Sequence, residues 1–126
     1  MLLHRLSGVP LESEQRVRML FNIKLDMALQ LSDESEEKPL RLKRAGDLFY
    51  ELHDMSYKNA DLDRAIAAYE AAVSLTPDGH QDQTELLSQL GLSLFKRFEY
   101  FGSVADIDNA IFTLEGSLML DRKSVV

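Results

Sequence analysis

A chain of 126 residues with 45% hydrophobic and 28% charged side chains carries apolar material for about one core, which excludes wholesale disorder and leaves no room for a second domain. Its formal net charge of -7 disfavours nucleic acid, whose phosphates require clustered Lys and Arg, while a basic or neutral protein partner is easily accommodated. The lack of cysteine removes disulfides, thiolate nucleophiles and zinc-thiolate centres together, and fits a reducing compartment.

The opening stretch MLLHRLSGVPL is interrupted by His4 and Arg5 before a hydrophobic region of secretory length develops, and no long uncharged apolar run follows. The expectation is an unprocessed, cytoplasmic protein without a membrane span. The first element is predicted over residues 11–31, where Val17, Leu20, Phe21, Leu25, Ala28 and Leu31 share one helical face. The acidic run from Asp33 to Glu37 reads as a solvated connector rather than a cation site. A second helix is predicted over 39–57, with Leu42, Ala45, Leu48, Phe49, Leu52 and Met55 at helical spacing. A third spans 61–76 on Leu62, Ala65, Ile66, Tyr69, Ala72 and Val73, and Thr76-Pro77-Asp78-Gly79 stops it, because proline cannot continue a helix and glycine accepts the turn. The fourth, 84–101, is apolar nearly all round and is expected to be buried on more than one side; Gly102 offers its stop. The fifth, 106–121, carries Ile107, Ala110, Ile111, Leu114 and Leu118. Asp61 and Asp106 stand where N-caps belong, with Asp63 and Asp108 in the first turns.

The third and fifth helices are written in nearly the same phrase, DLDRAIAAYEAAVSLTP and DIDNAIFTLEGSLMLDR. A shift of 45 (110 − 65) superposes Leu42 on Leu87, Gly46 on Gly91, Asp61 on Asp106, Ala65-Ile66 on Ala110-Ile111, and Leu75 on Leu120, with no gap. The first helix resembles the second half of a preceding unit at a shift of 44 (75 − 31). The chain therefore divides into a partial repeat over 11–38 and repeats over 39–83 and 84–122. The predicted architecture is all-α, a right-handed α-solenoid of stacked antiparallel helix hairpins with five helices.

Leu42-x2-Ala45-Gly46-x2-Phe49, then Ala65-x3-Tyr69-x2-Ala72 and Pro77, resembles the tetratricopeptide (TPR) repeat, and Leu87-x2-Leu90-Gly91-x2-Leu94 with Ala110-x3-Leu114 and Ser117 follows the same order. The 19 positions from Gly46 to Ala65 (65 − 46) exceed what a 34-residue repeat allows, and the period of 45 keeps HEAT and armadillo arrays as competitors on length. The long period, with LGLSLFKRFEYFG before DIDNAI and with LTPDGHQD, is similar to fungal TPR-like arrays sometimes joined to CHAT-type peptidase domains. No such domain is recognisable in this sequence.

The resemblance implies a concave groove lined by the first helix of each pair, receiving a peptide or partner helix. By register, Lys43, Asp47, Tyr50 and Glu51 in one unit and Ser88, Leu92, Phe95 and Lys96 in the next would face it. The asparagines of the family's carboxylate clamp are replaced by Asp47 and Leu92, so that specificity is not implied. Tyr50 and Phe95 either anchor an apolar or basic segment or pack between neighbouring first helices. His4, His53 and His80 are not paired at metal-ligand spacing and read as surface histidines. Glycine-rich phosphate loops are missing, since Gly46 and Gly91 serve close packing inside helices. No catalytic centre, metal or cofactor is expected. No polar capping helix follows Leu120, so Phe112, Leu118 and Met119 are expected to stay uncovered, marking self-association or continuation into a longer array.

Overall fold

The computed structural model describes residues 11–124. They form α1 (Leu11–Gln30), α2 (Glu37–Ser56), α3 (Asn59–Leu75), α4 (Gln83–Phe101) and α5 (Val104–Ser124), and no strand occurs among the described residues. Each helix packs on its neighbours in sequence, most closely within the pairs α2/α3 and α4/α5. Both pairs run antiparallel: Gly46 and Asp47 meet Tyr69 while Ser56 meets Asp61, and Gly91 meets Leu114 while Ser88 meets Ser117. No described helix is long and apolar enough to cross a membrane.

Most of the apolar positions read from the sequence form the core, but Leu20 and Ile111, expected on buried faces, are exposed because no described helix covers that side of α1 or α5. Leu42, Ala45, Phe49 and Leu52 of α2, Leu62, Ala65, Tyr69 and Ala72 of α3, and Leu86, Leu90 and Leu94 of α4 are buried in one cluster with Phe21, Leu25 and Ala28 of α1. Phe21 meets Phe49 edge to face at 5.9 Å between ring centres. Gly46 and Gly91 do serve close approach. A Cβ at Gly46 would lie 2.7 Å from Tyr69 Cε1, and one at Gly91 would lie 2.6 Å from Leu114 Cγ. Tyr69 and Leu114 are themselves equivalent under the shift of 45 (114 − 69), so the two pairs share one packing device.

Several local expectations are corrected. Asp61 and Asp106 do not cap their helices, which begin earlier, at Asn59 and Val104. Instead Arg18 grips the buried Asp61 with Nε and Nη2 at 2.6 and 2.7 Å, and Ser56 donates to the same carboxylate. Arg97 holds Asp106 with two bonds of 2.8 Å and reaches Asp63 at 3.0 Å. Tertiary partners thus claim carboxylates that the local pattern assigned to backbone capping. The α4 helix is buried on more than one side, as expected, against α3, α5 and the Tyr50 end of α2, and one stripe with Leu92 and Phe95 stays exposed.

The charge contacts also revise the register of α1. Arg18 lies 43 positions before Asp61, and Asp63, tied through Arg97, lies 43 before Asp106. The shift of 45 (63 − 18) therefore holds for α1 as well and replaces 44. Under it Phe21 matches Ile66, while Leu20, Ile23 and Met27 match Ala65, Ala68 and Ala72.

Candidate interaction groove

The eight residues expected on a shared groove lie on α2 and α4, and of them Tyr50 and Lys96 meet across the two helices while Lys43 and Asp47 pair within α2. Lys43 sits at the start of the α2 face with Nζ 2.8 Å from Asp47 and 3.5 Å from Glu85. Burial works against its ammonium, but Asp47 and Glu85 outweigh that and hold its pKa above the ordinary lysine value. Asp47 accepts the Tyr69 hydroxyl, so it is committed to its own hairpin rather than to a partner. Burial, then this hydrogen bond, raises the Tyr69 pKa far beyond reach of ordinary pH.

Further along, Lys96 is buried and lies 4.0 Å over the Tyr50 ring, donating to the Tyr50 carbonyl at 3.2 Å and to Asp54. This cation-π contact locks α4 onto α2 and removes Lys96 from the set available to a partner. Burial, then Asp54 and Glu99, raises the Tyr50 pKa. Glu51 is half-buried next to it. Ser88 shares a 2.6 Å hydrogen bond with Ser117 of α5. Leu92 and Phe95 alone of the eight present apolar surface to solvent, at 44% and 37% exposure. Phe95 stacks on Phe98 of the same helix, with 6.3 Å between ring centres.

A better-formed concavity lies at the other end of the helices. Two connectors, 31–36 and 76–82, occupy equivalent places in successive units and enclose a cavity of about 650 Å³. Its apolar lining comes from Pro39, Leu40, Leu75, Pro77 and Leu86. Its polar lining is dominated by the carboxylates of Asp33, Glu34, Glu36, Asp82 and Glu85, against Lys43 and His80. The connectors are built locally. Lys38, buried, donates to the Leu29 and Leu31 carbonyls at 3.0 and 2.8 Å and to Asp33 at 2.7 Å, closing the C-terminus of α1, whose last turn has no basic residue of its own. On the other side Thr76 Oγ1 donates to the Ala72 carbonyl at 2.8 Å, and Gln83 bridges the Gly79 N-H and Asp78. Of the eight groove residues expected from sequence, only Lys43 lines this cavity, together with the acidic connector from Asp33 and with His80. The signal that would have found it is the pairing of an acidic connector with a proline-containing one at the repeat spacing.

The histidines separate. His80 is exposed, its Nδ1 accepting the Asp82 backbone N-H at 3.1 Å. His53 is fully buried rather than on the surface, with both ring nitrogens unpaired and the Tyr100 ring edge-on at 4.8 Å between ring centres. Burial, then the nearby Lys96 charge, lowers its pKa below the ordinary histidine value. His4 falls outside the described residues. Among the described residues no group of three His, Asp or Glu side chains converges as a metal-binding cluster. Comparison with family models, curated proteins and solved structures finds no match for this chain.

Proposed function

We propose that this chain is a non-catalytic protein-protein interaction module, a right-handed α-solenoid of TPR-like hairpins whose acidic cavity receives a basic, apolar peptide or helix end. The observation that carries this reading is the 650 Å³ cavity in which five carboxylates surround an apolar lining between equivalent connectors. Apolar side chains of the ligand gain from burial against Leu40, Leu75 and Leu86, and its Lys or Arg residues are drawn by the carboxylates left in excess once Lys38 pairs with Asp33 and Lys43 with Glu85. Leu40, 48% exposed, is poised as the apolar anchor. Stacking of hairpins supplies the cavity, because it forms only where one connector lies against the next.

Fluorescence anisotropy with labelled peptides tests the proposal. A peptide combining Lys or Arg with Leu or Phe should bind, its acidic counterpart should not, and rising salt should weaken the complex as exposed charges are screened. Leu40→Asp with Glu85→Lys should abolish binding. Retention of binding in that variant, with loss on Tyr50→Ala plus Phe95→Ala, would move the contact to the helix face instead.

A further inference from the structure

The two outermost helices each leave an apolar stripe open, and the two stripes differ in charge. On α1, Leu20, Ile23 and Met27 are 47%, 50% and 59% exposed and lie on one helical face with the exposed Arg16 and Lys24. On α5, Ile111, Phe112, Leu118 and Met119 are 50%, 80%, 49% and 58% exposed and flank Asp108 and Glu115. None of these four charged residues forms an ion pair among the described residues. Neither stripe contributes to the acidic cavity.

The repeat shows what such a face accepts. Ile66 of α3 and Ile111 of α5 are equivalent under the shift of 45 (111 − 66), yet Ile66 is 3% exposed. The difference is α4, which packs on α3 and has no counterpart on α5 among the described residues. The Ile111 and Leu118 side of α5 is therefore shaped for an antiparallel helix in the position α4 holds against α3, and Phe112 and Met119, whose equivalents Ala67 and Ser74 stay exposed beside α4, extend the apolar surface at its edge.

We propose that this helix is α1 of a second copy, so that the chain associates head to tail. Arg16 and Lys24 are eight residues apart (24 − 16) and Asp108 and Glu115 seven (115 − 108), about 12 and 10 Å at the helical rise. In the antiparallel arrangement Arg16 faces Glu115 and Lys24 faces Asp108, while Leu20 and Ile23 meet Ile111 and Phe112 between the charged pairs. Reversing α1 would set Arg16 against Asp108 and run the helix parallel to α5, whereas helices consecutive in the chain, α3 and α4 among them, pack antiparallel. The contact joins different patches of the two copies, so each new copy leaves one α1 and one α5 face open and assembly continues to a ring or filament.

Sedimentation velocity on the full chain and two singly blocked variants tests this. Ile23→Asp closes the α1 face and Phe112→Asp the α5 face, and both side chains are exposed, so folding is unaffected, as far-ultraviolet circular dichroism checks. The unsubstituted chain should grow past two copies as concentration rises, and less so at high salt. Each variant alone should be monomeric, and an equimolar mixture should give a two-chain complex and nothing larger. A parent chain that stays monomeric up to about 1 mM overturns the proposal. So does a blocked variant that still dimerises alone, since that contact would join like faces.

Discussion

Placing alanine at Gly46 and at Gly91 separates helix propensity from packing at two equivalent positions. An interior Gly→Ala change by itself stabilises a helix by about 1 kcal/mol, and overpacking a closed core costs about 1–3 kcal/mol. At Gly46 the new Cβ meets Tyr69 Cε1 at 2.7 Å and Cδ1 at 2.9 Å. That ring is fully buried and its hydroxyl is bonded to Asp47, so it has nowhere to retreat. The packing cost prevails, and Gly46→Ala should destabilise by up to about 2 kcal/mol. At Gly91 the contact is equally short, 2.6 Å to Leu114 Cγ, but Leu114 is half-buried on a terminal helix and can rotate outward. Gly91→Ala should be neutral or slightly stabilising. Urea unfolding followed by circular dichroism resolves the difference, with slopes near 1–3 kcal/mol per M. Gly46→Ala at parental stability or above, or Gly91→Ala as the more damaging of the two, would refute the close-packing account.

Three other substitutions probe separate contacts. Arg18→Gln leaves the fully buried Asp61 carboxylate without its cation and should cost about 3–5 kcal/mol in denaturant unfolding; a loss comparable to that of an exposed pair would show that Asp61 is solvated. His53→Leu removes two unpaired buried nitrogens and should stabilise by about 1–3 kcal/mol. Because the folded pKa of His53 is lowered, its neutral form contributes stability that is complete above the unfolded value of about 6.5 and lost as pH falls through the folded pKa; thermal melts across that window should fall more steeply for the parent than for His53→Leu. Tyr57 takes the left-handed conformation at φ 54°, and its equivalent Gly102 does so at φ 74°. Tyr57→Gly relieves a backbone cost of about 1–2 kcal/mol but gives up ring contacts with His53 and Tyr100, so thermal melts should place it above Tyr57→Ala, which keeps the strain and loses the rings.

The number of helices and their buried faces were legible because burial on one side imposes a period that a single sequence displays, as at Leu42, Ala45, Phe49 and Leu52. Helix ends moved by a few residues, as at Asn59 and Val104, where the aspartates that suggested caps proved to be ligands for arginine. Such partners are invisible locally, since Arg18 is 43 positions from Asp61. His53 carried a readable signal, lying four and seven residues beyond Phe49 and Gly46 on the buried face of α2, but its polar type outweighed its position. Lys38 gave none, because the carbonyls it caps belong to the preceding helix. For a related reason register places Lys43, Ser88 and Lys96 on helices but does not reveal that Asp47, Ser117 and Asp54 already hold them.

The register of α1 bears on what its open face is for. Within the α2/α3 pair the positions matching Leu20, Ile23 and Met27 are Ala65, Ala68 and Ala72, all buried, and opposite them Gly46 lets the helices close up. The alanines surround a Tyr69 ring that is seated on Gly46, and the separation of packed helices follows the size of the side chains between them. Three large residues on α1 hold any covering helix further out than α2 lies from α3. The face is thus unsuited to a hairpin partner of the α2 kind. It suits a helix that brings its own bulk, and α5, with Ile111, Phe112, Leu118 and Met119 around two carboxylates, is such a helix.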